Sequence, residues 1–282
     1  MMLAIVSAIF ASVCLNLFLK SASANYVYNI PLILLIIEIS KLLMCLCGMV
    51  LISNQRKCPV RFGFIVNSVL YAIVNYLSHY ITYTMPVSIY SVLIQHKIIW
   101  VVLFSILVLK KVFSIKQYVA LIIVCSGCLL MTVNTVQVSE MGFLLVLFQG
   151  ICSSLSSVWI EKMTKMDERP VVSENIDKNK LYWFLADSFQ MYLFAIPIYI
   201  FGVFSHSIVI NTLPMHAFVT IIGLSVLNGL SLGAVFVYHS SIARSVVAAI
   251  VIVFLTIEHG IFSIYILSGI SLVFIGITVW SI

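Results

Sequence analysis

The stretch Pro86-Val-Ser-Ile-Tyr-Ser-Val-Leu-Ile-Gln-His-Lys-Ile-Ile-Trp100 opens an apolar run that reaches Leu109. The chain then turns through Lys110, Lys111 and Lys116 and continues as a second apolar run to Met131. Each run is about 20 residues, the length at which an α-helix crosses the hydrocarbon core of a bilayer. Lys97 lies near the middle of the first run, beside Gln95 and His96. It is about eleven residues from either end, too far for its stem to carry the ammonium to the interface. A lysine at that depth costs about 3 kcal/mol to insert, so it is expected to face a water-filled cavity or a partner.

Composition extends this reading to the whole chain. Of the 282 residues, 63% are hydrophobic and 9% charged. Soluble domains carry about 25% charged residues, so the expected class is an integral membrane protein, a partner of the lipid bilayer. No long polar segment leaves room for a soluble domain, and the expectation is a single transmembrane domain over 1–282. Met1 to Leu19 is apolar but has no basic n-region and no small-residue cleavage site, so it is expected to be a retained helix. The net charge of +6 resides in short loops and does not point to nucleic acid. Seven cysteines are present, and all but Cys58 fall in apolar runs. The Cys125-x-x-Cys128 pair has no second pair at zinc spacing, so these residues read as small apolar positions of a helix.

Ten hydrophobic runs follow one another, near 2–20, 30–52, 62–83, 86–109, 116–134, 141–163, 182–204, 216–239, 244–260 and 263–281. With the N-terminus placed in the cytosol, twelve loop cations fall on the cytosolic side: Arg56, Lys57, Arg61, Lys110, Lys111, Lys116, Lys162, Lys165, Arg169, Lys178, Lys180 and Arg244. Only Lys20 falls opposite. The positive-inside bias then predicts that both termini and the polar connector at 163–181 are cytosolic. A weak internal repeat pairs Ser91-Val92 with Ser245-Val246, and Ser126-Gly127-Cys128 with Ile275-Gly276-Ile277. Five helices per half is an odd number, so repeats over about 1–135 and 141–282 are expected to be inverted, with a site near the midplane.

The intramembrane polar residues narrow the chemistry. Glu38 and Lys41 are three apart and share a helix face, either as a pair that neutralises itself or as part of a site. Tyr71 and Asn75 share a face of the third run. Tyr90, Gln95 and Lys97 lie on the fourth, Ser153, Ser154, Ser156 and Ser157 on the sixth, and Gln190 and Tyr192 on the seventh. Asn228, Gly229, Ser231 and Gly233 form a polar strip on the eighth, and Arg244 opens the ninth. There is no nucleophile–base constellation, paired-carboxylate site, metal-ligand spacing or Gly-x-Ser-x-Gly, so neither an enzyme nor a bound cofactor or metal is expected. Cations suit an anionic solute. Aromatic rings and Asn suit a planar base, through stacking and edge hydrogen bonds.

These residues bring the chain to a family. Glu38-Ile-Ser-Lys41, Tyr71-Ala-Ile-Val-Asn75, Tyr90-Ser-Val-Leu-Ile-Gln95-His-Lys97, Ile160-Glu161-Lys162, Gln190-Met-Tyr192, Asn228-Gly-Leu and Arg244-Ser-Val-Val resemble the nucleotide-sugar transporters of the drug/metabolite transporter superfamily. The closest branch carries CMP-sialic acid, UDP-galactose and UDP-N-acetylglucosamine. The resemblance implies a ten-helix, all-α Golgi antiporter with two inverted five-helix repeats; the ER membrane is the alternative location. It implies exchange of a cytosolic pyrimidine nucleotide sugar, UDP-galactose or UDP-N-acetylglucosamine before CMP-sialic acid, for lumenal nucleoside monophosphate. By the same carry-over Tyr71 and Asn75 would contact the base, Tyr90 the nucleoside, and Lys97 and Arg244 the phosphates. Tyr192 would line the cavity, and Gln95, Ser188, Asn228 and Ser231 complete the candidate set. Val74, Tyr76, Ser188 and Ser231 stand where the family pattern has Gln, Asn, Asn and Tyr. A non-nucleotide exporter and a non-transporting scaffold of the same fold are the rival readings. Homo- and hetero-oligomers are both left open.

Overall fold

The computed structural model describes residues 2–26, 28–52, 60–85, 89–90, 93–132, 140–165, 176–205 and 213–238, with isolated residues from 251 onward. Eight α-helices occupy these segments: α1 (Met2–Asn25), α2 (Ile30–Ile52), α3 (Gly63–Thr84), α4 (Lys97–Leu109), α5 (Ile115–Thr132), α6 (Glu140–Lys165), α7 (Ile176–Ser205) and α8 (Met215–Tyr238). They correspond one to one with the first eight expected runs. The ninth and tenth runs lie outside the described residues, apart from short helical pieces around Val251, Ser271 and Gly276. An all-helical fold is what an apolar environment demands, because every backbone N–H and C=O must be satisfied within its own segment.

Five helices, α2, α3, α6, α7 and α8, are long and apolar enough to cross a membrane, as expected of a multi-pass membrane protein. Burial points the same way. Leu51, Val112, Phe201 and Phe204 are exposed, while Glu38, Lys41, Asn67, His79, Gln149 and Asp187 are buried. An apolar exterior around a polar interior fits a bilayer and is unfavourable in water.

Local chemistry sets the helix ends. Met85 is extended (φ −142°, ψ 155°), the conformation a following proline imposes, and its N–H caps Ile81 O. Lys110 closes α4 in the left-handed region (φ 52°, ψ 33°), and the N–H groups of Lys110 and Lys111 both reach Ser105 O. That turn directs Lys111 Nζ to Glu161 Oε1 of α6 at 2.6 Å.

The fourth expected run is not one continuous α-helix. A 3-10 turn, Ile94–His96, precedes α4, so Lys97 opens a helix instead of lying in the middle of one. His96 explains the break. Its Nδ1 lies 2.7 Å from Leu93 O and its Nε2 3.3 Å from Leu147 O, and its ring occupies the space above Gly150. Hydropathy does not register a contact of that kind.

Five helices close around a central space. The ring runs α1–α8–α2–α7–α3 and returns to α1, and the most extensive contact is between α2 and α7. α6 packs on the outside of α3 and carries α4, with α5 beyond it. Cys45, Phe64, Tyr182, Trp183 and Tyr192 form the core between α2, α3 and α7. Leu19, Ile33, Ile37, Ala217 and Ile221 form that between α1, α2 and α8. Val251 packs on Ile9, Val13 and Leu17 of α1, and Gly276 sits against Ala120 and Val124 of α5.

Candidate functional site

The ring encloses a cavity of about 430 Å³, within the usual range for small-molecule sites. It is lined from α1, α2, α3, α6, α7 and α8, and by Tyr90. On α3 the wall runs from Phe64 to Thr82, about 27 Å at 1.5 Å per residue. Lys180 is the exposed residue of this wall, and the others are buried or half-buried, so the mouth lies at the start of α7.

Lys41 occupies the middle. Its side chain is 5% exposed and that of Glu38 is fully buried, with Nζ donating to Glu38 Oε1 at 2.8 Å. Nζ also donates to Tyr71 OH at 2.7 Å. It lies 5.3 Å from the centroid of the Tyr71 ring and 5.4 Å from that of Tyr192, within cation–π range of both. Gly229 of α8 packs over the stem; a Cβ there would come within 2.9 Å of Lys41 Cε. The ammonium is thus fixed by a carboxylate, a phenol and two aromatic rings. The second carboxylate oxygen, Glu38 Oε2, is buried and has no partner among the described residues.

The two arms of the cavity differ in chemistry. Toward the mouth the wall carries Phe64, Trp183, Phe184 and Tyr192, with Thr164, Asn179 and Asp187. Asp187 Oδ1 accepts from Arg61 Nη1 at 3.3 Å, Arg61 N donates to Gln190 Oε1 at 2.7 Å, and Arg61 Nη2 donates to Met163 O at 3.2 Å. One arginine therefore ties the start of α3 to α6 and α7 beside the opening. Toward the closed end the wall carries Asn16, Asn75, Ser78, His79, Thr82 and Tyr90. Here Gln149 of α6 stands behind the wall, its Nε2 donating to Ser78 Oγ at 2.5 Å and to Tyr90 OH at 2.8 Å.

Of the residues picked out in the sequence, Tyr71, Asn75, Tyr90, Ser188, Tyr192 and Asn228 line this cavity, and Lys41 does so with Glu38 behind it. Asn75 Nδ2 donates to Tyr199 OH at 3.3 Å, and Asn228 Oδ1 accepts from Ser12 Oγ at 2.6 Å. Ser231 is buried in the α1–α8 contact, where Ser7 Oγ donates to its Oγ at 3.2 Å. Lys97 is half-buried and is not part of the wall; its carbonyl accepts from Ser154 Oγ at 2.8 Å. The Gln95 side chain and Arg244 lie outside what is described. Glu161, read with Lys162 as a motif, pairs with Lys111, while Lys162 lies 5.3 Å from the Trp159 ring.

His79, Gln149, Arg61 and Asp187 were not singled out as site residues from sequence. Asp187 and Arg61 lie 126 positions apart, and Gln149 and Ser78 lie 71 apart, so no local spacing signals them. Among the described residues no group of three or more His, Cys, Asp or Glu is placed to hold a metal ion. No protein-family model matches the chain, and no curated protein matches it.

Proposed function

We propose that the chain is a multi-pass transporter of a phosphorylated, aromatic solute, a pyrimidine nucleotide sugar exchanged for nucleoside monophosphate by alternating access. One observation carries this reading: a buried cation, Lys41, held between Tyr71 and Tyr192 at the centre of an enclosed cavity. A phosphate entering the cavity meets an ammonium with little competing water, where the attraction is several times stronger than at a surface. The aromatic arm offers stacking faces to a base, and the polar arm offers hydrogen bonds to hydroxyls.

The packing supports two inverted halves of five helices. When each helix is exchanged for the one five places later, the α2–α7 pair maps onto itself. Under the same exchange α1–α8 becomes α3–α6, and α3–α7 becomes α2–α8; all of these pairs pack. The α4–α6 contact maps onto the ninth run against α1, where Val251 lies on Ile9, Val13 and Leu17. The fifth and tenth runs map onto each other, and Gly276 meets Val124. Such a pattern is what two inverted repeats of five helices would produce, and it supports that reading. Arg244, at the head of the ninth run, is proposed as a second phosphate cation. The positive-inside bias supports a mouth that opens to the cytosol, and the resemblance supports a Golgi membrane.

The test is a thermal-shift panel of purified protein with UMP, CMP, GMP and AMP. A ligand at 100 times its dissociation constant adds about 2.7 kcal/mol to the native state. UMP or CMP is expected to raise the midpoint, and GMP and AMP less. Absence of any shift with all four contradicts the reading.

A further inference from the structure

One face of α7 forms the path from the mouth to the centre of the cavity. Lys180, Trp183, Phe184, Asp187, Ser188 and Tyr192 all line the wall, recurring every three or four positions as one side of a helix does. Charge is ordered along this face. Lys180 stands exposed at the mouth. Lys41 stands at the centre, 5.4 Å from the Tyr192 ring, and Tyr192 lies about 18 Å along the α7 axis from Lys180. Asp187, between the two, is the one acid of the described wall. It is paired with Arg61, Nη1 to Oδ1 at 3.3 Å, and its side chain is 7% exposed. A carboxylate neutralised by a guanidinium offers little repulsion to an anion passing along the wall.

Lys180 differs from the other cations near the cavity. Lys41 is paired with Glu38, Arg61 with Asp187 and Lys111 with Glu161, whereas Lys180 has no ion-pair partner among the described residues. The positive-inside bias accounts for a lysine at this end of α7, but not for its place on the cavity face of the helix. A mouth that carries one sign of charge between low-dielectric walls focuses its field outward. Such a field concentrates solutes of opposite charge and speeds their entry. A phosphate monoester carries about −1.5 to −2 charges at pH 7, so it feels this field strongly.

Resting on the phosphorylated-solute reading above, we infer that Lys180 is a capture residue. It draws the phosphate of an incoming solute to the mouth, before the phosphate passes along the α7 face to Lys41. Selection for an anion then begins at the entrance, and the two lysines act on different steps: Lys180 on the rate of entry, Lys41 on how long the solute stays.

The experiment measures the rates of binding and release of labelled UMP and of uridine, its uncharged counterpart, in uncharged detergent. Unmodified protein is compared with Lys180→Gln, Lys180→Glu and Lys180→Arg at two salt concentrations. The screening length is about 30 Å in 0.01 M salt and about 3 Å in 1 M salt. In 0.01 M salt, UMP association is expected to slow about three- to ten-fold in Lys180→Gln, more in Lys180→Glu, and to stay near the unmodified rate in Lys180→Arg. The release rate, and the association of uridine, are expected to change less than about two-fold, and the differences between variants to vanish in 1 M salt. UMP association unchanged in Lys180→Gln overturns the inference and leaves Lys180 an interfacial cation only. A loss that persists in 1 M salt, extends to uridine or appears equally in Lys180→Arg also overturns it, since shape and not charge would then be at work. A change confined to release overturns it too, because Lys180 would then hold the bound solute instead of capturing it. Unmodified protein that binds no UMP contradicts the nucleotide reading itself and overturns the inference with it. That result is distinguished from the others because the unmodified protein, and not the variant, fails.

Discussion

Lys41 Nζ lies 2.8 Å from Glu38 Oε1, one helical turn away, at the centre of the cavity. The pair has two possible duties, neutralising itself in an apolar surround and presenting a cation to a ligand, and they can be separated. Removing one partner of a buried pair strands the other and costs about 3–5 kcal/mol. Lys41→Met alone is therefore expected to lower thermal stability sharply. The double substitution Glu38→Gln with Lys41→Met is expected to recover most of it while UMP affinity stays roughly 10- to 100-fold down, the worth of a charged hydrogen bond. Thermal denaturation and titration calorimetry on the two variants check this. A double variant that recovers both stability and affinity makes the pair purely structural.

Gly229 keeps the backbone of α8 close to the Lys41 stem. A Cβ would lie 2.9 Å from Cε and 3.3 Å from Nζ, so the ammonium must move while the helix backbone need not. Gly229→Ala is expected to leave the melting temperature within a few degrees, helped by the better helix propensity of Ala, about 1 kcal/mol. Nucleotide affinity is expected to fall. Affinity measured alongside thermal denaturation checks it, and an unchanged affinity detaches Gly229 from the site.

Gly150 has the opposite sign. Glycine to alanine in a helix interior ordinarily stabilises, yet a Cβ here enters the His96 imidazole. That ring holds the turn before α4 through Leu93 O and Leu147 O. Gly150→Ala is expected to destabilise by about 1–3 kcal/mol, the range of core overpacking. Thermal denaturation of Gly150→Ala beside Gly150→Ala with His96→Ala checks it: the second should be the more stable of the two.

Lys97 lies outside the cavity wall, with its carbonyl held by Ser154. Lys97→Ala is accordingly expected to change UMP affinity by less than about three-fold, the size of a screened long-range charge effect. A loss as large as that of the Lys41 variants would mean that Lys97 reaches the ligand in another conformation of the transport cycle.

The contrast between these two lysines shows how far the sequence reaches. Both stand out as charges near the middle of apolar runs, each flanked by about eleven residues on either side, so hydropathy does not tell them apart. Which one meets the cavity depends on how the helices are arranged. α2 belongs to the ring and α4 stands outside it, behind α6. Helix existence was legible because apolar runs of membrane-spanning length are read one segment at a time. α3 agrees with its expected run to within a residue at each end. α7 begins six residues before its expected run, at Ile176, because the charges of Asp177, Lys178 and Lys180 mask a helical turn from hydropathy. The pairings were not legible. Arg61 with Asp187, Gln149 with Ser78 and Lys111 with Glu161 join residues 126, 71 and 50 positions apart.

The most direct test of the central claim is exchange across a membrane. Purified protein is reconstituted into liposomes, and uptake of labelled UDP-galactose and UDP-N-acetylglucosamine is followed with and without UMP inside. The predicted result is uptake of at least one of the two that requires internal UMP and is lost in the Glu38→Gln, Lys41→Met double variant. Uptake of both at the level of protein-free liposomes, or a double variant that exchanges at the unmodified rate, contradicts the account.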